Sequence, residues 1–167
     1  MKLISEPLDF FAFNIYEGKF VYKDENGNTA EKQAETGSPK TQMGWEITPE
    51  SMYWAPKFLY EKYEKPVYIA ENGISCPDYV FSDGKIHDAY RTEYLNSYLK
   101  ALCRIADEGY VKGYFHWTLM DNFEWAEGFK QRFGLVHVDF STQKRTPKDS
   151  FYRYRDIIRS NGKILWE

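Results

Sequence analysis

At 167 residues, the chain is long enough for one domain with its own core, but well short of the roughly 250 residues of a typical complete (β/α)8 barrel. Its formal charge of −3 supplies no basic field for nucleic acid or anionic lipid and points to a neutral or cationic partner. Two cysteines, Cys76 and Cys103, are too few for a disulfide framework, no acidic or histidine spacing suggests a metal site, and Met1 to Pro7 has no apolar leader core, so a cytoplasmic protein without a membrane span is expected. Five Trp, fourteen Tyr and twelve Phe make the chain unusually aromatic, a composition that serves both core packing and stacking on a ligand that carries hydroxyls.

Leu8 to Tyr16 reads as a buried strand ending in polar residues. Phe20 to Tyr22, with the run Asp24-Glu25-Asn26-Gly27-Asn28 behind it, predicts one arm and the turn of a surface hairpin. Thr48 and Pro49 predict an N-cap and first helical position, for a helix with the apolar stripe Met52, Ala55, Phe58, Leu59 and Tyr63. Pro66 opens a second strand, Val67 to Ala70. Asp88 is expected to cap a helix in which Tyr94, Leu95, Tyr98, Leu99, Leu102, Ile105 and Ala106 recur at helical spacing up to Gly109. A third strand runs from Val111 or Gly113 through Trp117.

After a loop from Asp121 to Arg132 and an extended piece from Leu135 to Phe140, Thr146-Pro147-Lys148-Asp149 predicts a proline-started helix. Asp149 is placed at its third position, and Phe151, Tyr154, Ile157 and Ile158 turn inward. Strand and helix alternate three times, which calls for an α/β arrangement of parallel strands covered by helices. Three such strands leave two edges open, so the chain reads as part of a larger sheet.

One segment stands apart. Tyr68-Ile69-Ala70-Glu71-Asn72-Gly73 places a carboxylate at the C-terminal tip of an apolar strand, where α/β enzymes keep their chemistry. The bland reading is a turn, since Asn-Gly is a turn signal and a Glu beside it is usually solvated. Trp45, Trp117 and Trp125 lie in or after strand ends rather than on helix faces, while His116 and His137 sit in strand-like runs where core or surface roles are commoner than ligation.

Tyr68 to Gly73 resembles the nucleophile motif of family 1 glycoside hydrolases, the β-glucosidases and their relatives. Trp117-Thr118-Leu119-Met120-Asp121-Asn122-Phe123-Glu124-Trp125-Ala126-Glu127-Gly128, continuing through Arg132-Phe133-Gly134-Leu135 and Thr142 to Ser150, is similar to that family's long C-terminal signature. Phe11 to Tyr16 and Met43-Gly44-Trp45-Glu46-Ile47 match further family segments in the same order. Ala70 departs from the pattern, in which a larger or β-branched residue usually precedes the Glu.

The resemblance implies that residues 1–167 form a single C-terminal segment of a (β/α)8 TIM barrel, carrying strands six to eight with their helices. It implies Glu71 as nucleophile of a retaining mechanism, Glu124 and Trp125 as ligands of glycone hydroxyls, and Trp117 stacked on the sugar face. Tyr16 would hydrogen-bond Glu71, Asn14 would line the same site, Trp45 would flank the aglycone, and Phe133 would line the binding region. Trp45 and Phe133 in particular are also what mere packing would look like. Retention needs a second carboxyl about 5–5.5 Å from the first. The family's Asn-Glu-Pro acid/base motif does not occur in this sequence.

Relatives that act on 6-phosphorylated glycosides carry Ser in place of the hydroxyl-binding Glu, with Lys and Tyr just before the signature Gly. Here those places read Glu124, Gln131 and Phe133, and a carboxylate repels phosphate. The implied substrate is therefore an unphosphorylated β-glucoside or β-galactoside, cellobiose-like sugars included, with no cofactor. The implied partner chain is the rest of the barrel or a second copy; the alternative is a catalytically incomplete half-barrel that binds sugar weakly.

Overall fold

The computed structural model describes residue 3 and residues 6–167; the opening residues read above for a leader fall largely outside the described part. Three strands form the main sheet: β1 (Phe11–Asn14), β4 (Val67–Asn72) and β5 (Val111–His116), in the order β1-β4-β5 and parallel throughout. Between β1 and β4 lie the antiparallel hairpin of β2 (Val21–Lys23) and β3 (Thr29–Glu31), and helix α1 (Ser51–Tyr63). Helix α2 (Ala89–Asp107) connects β4 to β5, and α3 (Asp149–Arg159) closes the chain after an antiparallel pair, β6 (Val136–Val138) and β7 (Arg145–Pro147). These elements form three consecutive strand and helix units of an α/β barrel.

Burial follows from the parallel topology. Val67, Ile69 and Val111 put their side chains against Leu95, Tyr98, Leu102 and Ile105 of α2, with Met52 of α1 and Ile157 of α3 flanking them. At roughly 1.5–3 kcal/mol for each fully buried large apolar side chain, this interface dominates the stability of the unit. Both β1 and β5 have a single neighbour in this sheet among the described residues, so a row of backbone groups faces outward on each side. Among the described residues no helix is long and apolar enough to cross a membrane.

The structure corrects several local expectations. Helix α1 starts at Ser51, and the Thr48 hydroxyl accepts the Gly18 N–H at 2.8 Å instead of capping the helix, which ties the helix start to the chain leaving β1. Phe58 and Tyr63 are exposed, so the buried stripe of α1 is narrower than the spacing predicts. Asp88 makes no cap bond to α2. Its carboxylate accepts the N–H and hydroxyl of Ser150 in the first turn of α3, where a carboxylate satisfies donors the helix cannot satisfy itself. Pro147 ends β7, Asp149 is the first residue of α3, and Ile158 points to solvent.

Candidate active site

Glu71 is the next-to-last residue of β4 and lies half-buried at the sheet's C-terminal end. In register it pairs with Asn14 of β1, which is exposed beside it, and its carbonyl accepts the Ile15 N–H at 2.9 Å. Tyr16 follows directly and donates its hydroxyl to Glu71 Oε2 at 2.9 Å. Burial, this hydrogen bond and the charges of Glu71 and Glu124 push the Tyr16 phenol far above its ordinary value, so it stays a donor throughout the working pH range. Charge-assisted bonds of this kind contribute roughly 1.5–3 kcal/mol, enough to hold one carboxylate rotamer.

The turn residues beside Glu71 are structural pins. The Asn72 side chain is fully buried: its amide donates to Ile15 O at 2.9 Å and to the Tyr94 hydroxyl at 2.8 Å, and its Oδ1 accepts from the Tyr114 hydroxyl at 3.0 Å. One side chain thereby joins β1, β4, β5 and α2. Tyr94 and Tyr98 stack with ring centroids 3.7 Å apart, and both hydroxyls point at the Tyr16 carbonyl, at 3.3 and 3.4 Å. Gly73 is required by close approach, since a Cβ there would stand 1.8 Å from the Trp117 carbonyl oxygen. The sequence gives Asn72 a turn role and Tyr94 and Tyr98 a place in a helical stripe, and none of them, nor Tyr114, a role at the site; the signals were an amide beside the carboxylate and a tyrosine pair at i, i+4 on the buried face of a helix.

Three aromatic rings wall one side. Tyr16 and Trp45 lie 5.1 Å apart, Trp45 and Phe133 6.1 Å, and Tyr16 and Phe133 6.3 Å. Trp45 is set by a tight turn in which its N–H donates to Thr41 Oγ1, its carbonyl accepts the Thr41 N–H, and Gly44 takes a left-handed φ of 83°. Phe133 is only 3% exposed, so it reaches the site through the other two rings.

The segment after β5 adds a second wall. The Trp117 N–H donates to the Asn72 carbonyl at 2.8 Å, and its peptide bond to Thr118 is cis. Glu124 and Gly128 close a small bridged turn around Trp125 to Glu127, with the Glu124 N–H on the Gly128 carbonyl at 2.7 Å. Glu124 is half-buried and its charge acts on Tyr16, which puts both carboxylates in one electrostatic field. Trp125 stands free of this cluster at 82% exposure. Gln131 and Phe133 present no cation: Gln131 is buried and its carbonyl accepts the Ser75 hydroxyl at 2.6 Å.

This arrangement offers a carboxylate held by a permanent donor, a second carboxylate whose charge acts on that donor, and a cluster of aromatic rings beside it, a constellation that suits a neutral, polyhydroxylated ligand. The sequence profile of glycosyl hydrolase family 1 matches residues 1–163. β-Glucosidase A of Thermotoga maritima is 46% identical over 164 residues, covering 97% of this chain and 37% of that protein. β-Glucosidase A of Acetivibrio thermocellus is 44% identical over 167 residues, with 97% and 37% covered. The solved structure of the Thermotoga maritima β-glucosidase in complex with glucoimidazole superposes with a TM-score of 0.86 at 45% identity over 96% of this chain and 37% of that one. The chain thus spans a little over a third of the length of these relatives, and by profile, identity and fold it belongs to glycosyl hydrolase family 1.

Proposed function

We propose that the chain carries the nucleophile and the glycone-binding walls of a β-glucosidase that hydrolyses unphosphorylated β-glucosides, cellobiose-like sugars among them, with retention. The observation that carries this reading is the Tyr16 to Glu71 hydrogen bond at the C-terminal end of the parallel sheet, with the charge of Glu124 acting on the same phenol. The names of the relatives support the substrate class. In the first step a Glu71 oxygen bonds to the anomeric carbon as the glycosidic C–O bond breaks, and the departing oxygen takes its proton from an acid/base carboxyl outside this sequence. In the second, water attacks the same carbon as the bond to the Glu71 oxygen breaks, giving its proton to the same acid/base carboxyl and returning Glu71 as carboxylate. Glu124 and Trp125 hold glycone hydroxyls, Trp117 stacks on the sugar, and Asn14, Trp45 and Phe133 complete the walls.

Residues 1–167 are read as one partial-barrel segment, completed by the remaining strands of such an enzyme. The alternative, an inert half-barrel, draws on the sheet's two open edges among the described residues and the lack of an Asn-Glu-Pro motif. Hydrolysis of an aryl β-glucoside separates the two. The chain alone is expected to stay at background, and mixing with the N-terminal strands of a related β-glucosidase is expected to restore turnover that Glu71→Gln removes. No turnover in any mixture of folded partners supports the inert reading. Robust cellobiose hydrolysis by the chain alone would move the acid role to Glu124 or Glu127.

A further inference from the structure

Away from the aromatic walls, six charged side chains gather in the interior: Asp78, Asp88 and Asp121 against Arg91, Arg132 and Lys148. The side chains of Lys148 and Asp121 have no exposed surface and that of Asp78 has 3%. Lys148 Nζ donates to Asp78 Oδ2 at 2.6 Å and to Asp121 Oδ1 at 2.8 Å. Asp78 belongs to the loop that leaves β4 just after Glu71. Asp121 opens the loop that carries Glu124, and it also accepts from Arg132 Nη1 at 2.7 Å and from the Gly134 N–H at 3.0 Å, which closes that loop at its base.

The same loop is held at its exit by a separate cation. Arg91 donates to the Arg132 carbonyl at 2.7 Å and to Asp78 Oδ2 at 2.6 Å. Arg91 thus grips the end of the Glu124 loop, while Lys148 joins Asp121 near its entrance to Asp78 behind Glu71, adding a side-chain bridge to the backbone bond from Trp117 to Asn72. A buried ionic network of this kind is seldom a source of net stability, because taking the charges out of water costs about as much as their attraction returns. What it does supply is direction, since each buried charge tolerates few arrangements of its partners.

We propose that Lys148 is a positioning residue of the sugar site: by bridging Asp78 and Asp121 it sets the wall that carries Trp117, Glu124 and Trp125 against the strand end that carries Glu71. The inference rests on the sugar-site reading above. Lys148 touches no substrate and acts through the two aspartates.

The test is Lys148→Met in the 167-residue chain, which keeps side-chain length, removes the bridge and leaves Asp121 paired with Arg132. Each of the five tryptophan indole N–H signals is assigned in ¹H–¹⁵N spectra by single Trp→Phe substitution. The expected result is a single cooperative melt, displaced or exchange-broadened signals for Trp117 and Trp125, and unchanged signals for Trp54 and Trp166. If K148M does not fold, D78N, which removes the charge at one end of the bridge, is read by the same signals with the same expectation. Unmoved Trp117 and Trp125 signals in a folded variant, or an equal shift of all five, would overturn the proposal and leave Lys148 a general stability element. Titration with glucoimidazole of the unsubstituted chain and of K148M, each mixed with the N-terminal strands of a related β-glucosidase, keeps the two readings apart. Perturbation of Trp117 in the unsubstituted chain that weakens in K148M supports both. An unperturbed spectrum in both chains defeats the sugar-site reading, while the displaced indoles still support the positioning role.

Discussion

The two walls of the site are built differently. The Glu71 wall is a strand end locked from within: Asn72 reaches three neighbouring elements, two stacked tyrosines hold the Tyr16 carbonyl, and Gly73 lets Trp117 approach to contact. The Glu124 wall is a loop with short turn bonds of its own and an exposed Trp125 at its tip, anchored at its base by buried ions. Covalent chemistry demands a carboxylate in one place and one rotamer, which regular structure supplies. On the proposed function, recognition of sugar hydroxyls needs reach, which a loop supplies, and an ionic base restores the precision the loop lacks.

The largest test of this contrast is Glu71→Ala in an enzyme completed with the missing strands. Loss of a nucleophile costs up to about 10⁶ in kcat. Azide is expected to rescue Glu71→Ala in part and to give a product of inverted configuration, whereas Glu124→Ala should gain nothing from azide. Product stereochemistry by NMR checks both, and rescue of Glu124→Ala alone would exchange the two roles.

Asn72→Ala is the next in size, now in stability. It leaves Ile15 O without its side-chain donor, at about 1–3 kcal/mol for a buried group left unsatisfied, and removes one of the bonds of each of the Tyr94 and Tyr114 hydroxyls, which keep the Tyr16 carbonyl and the Asn72 carbonyl, at about 0.5–1.5 kcal/mol each. A loss of about 2–4 kcal/mol is expected in urea unfolding. A loss under 1 kcal/mol would show that the Glu71 wall is not pinned in this way.

Glu124→Ala in the completed enzyme is expected to remove roughly 1.5–3 kcal/mol of transition-state binding, or about one to two decades in kcat/KM, with the folded chain's stability little changed. Steady-state kinetics on an aryl β-glucoside measures it.

A fourth test uses pH. His116 ends β5, with its Nε2 buried and unpartnered, and burial with the charges of Arg91 and Lys148 lowers its pKa to about 3 from an ordinary 6.5. The folded chain therefore keeps His116 neutral where the unfolded chain takes up a proton. The contribution is complete above about pH 6.5 and is lost as pH falls toward 3, amounting to about 2 kcal/mol between pH 7 and pH 5. Urea midpoints at the two pH values, with His116→Gln as control, should show the difference shrink by that amount in the variant.

The smallest effect belongs to the loop tip. Trp125→Ala should alter stability by no more than about 0.5 kcal/mol, since the side chain is 82% exposed, while weakening glycone binding in the completed enzyme. A large loss of stability would mean that Trp125 packs on the fold instead of facing a ligand.

Periodicity and turn chemistry were sufficient for the three strand and helix units: the α2 stripe from Tyr94 to Ile105 is buried, though Ala106 is exposed, the strand expected over Val67 to Ala70 runs on to Asn72, and the hairpin at Asn26-Gly27 stands, while β7 occupies Thr146-Pro147 where a helix start was expected. The motif around Glu71 and the long signature from Trp117 were enough to name the family, because both are local in the chain. Pairings between distant residues were not legible there. That Asp88 joins the first turn of α3 to Arg91 of its own helix instead of capping that helix, that Thr48 serves Gly18, that Asn72 is the hub of the sheet end, and that Lys148 joins two loops are each set by which side chains the fold brings within hydrogen-bond reach. Helical and strand spacing reports only which face of an element is apolar. A buried polar group is satisfied by whatever partner the packing delivers, and that partner is decided in three dimensions.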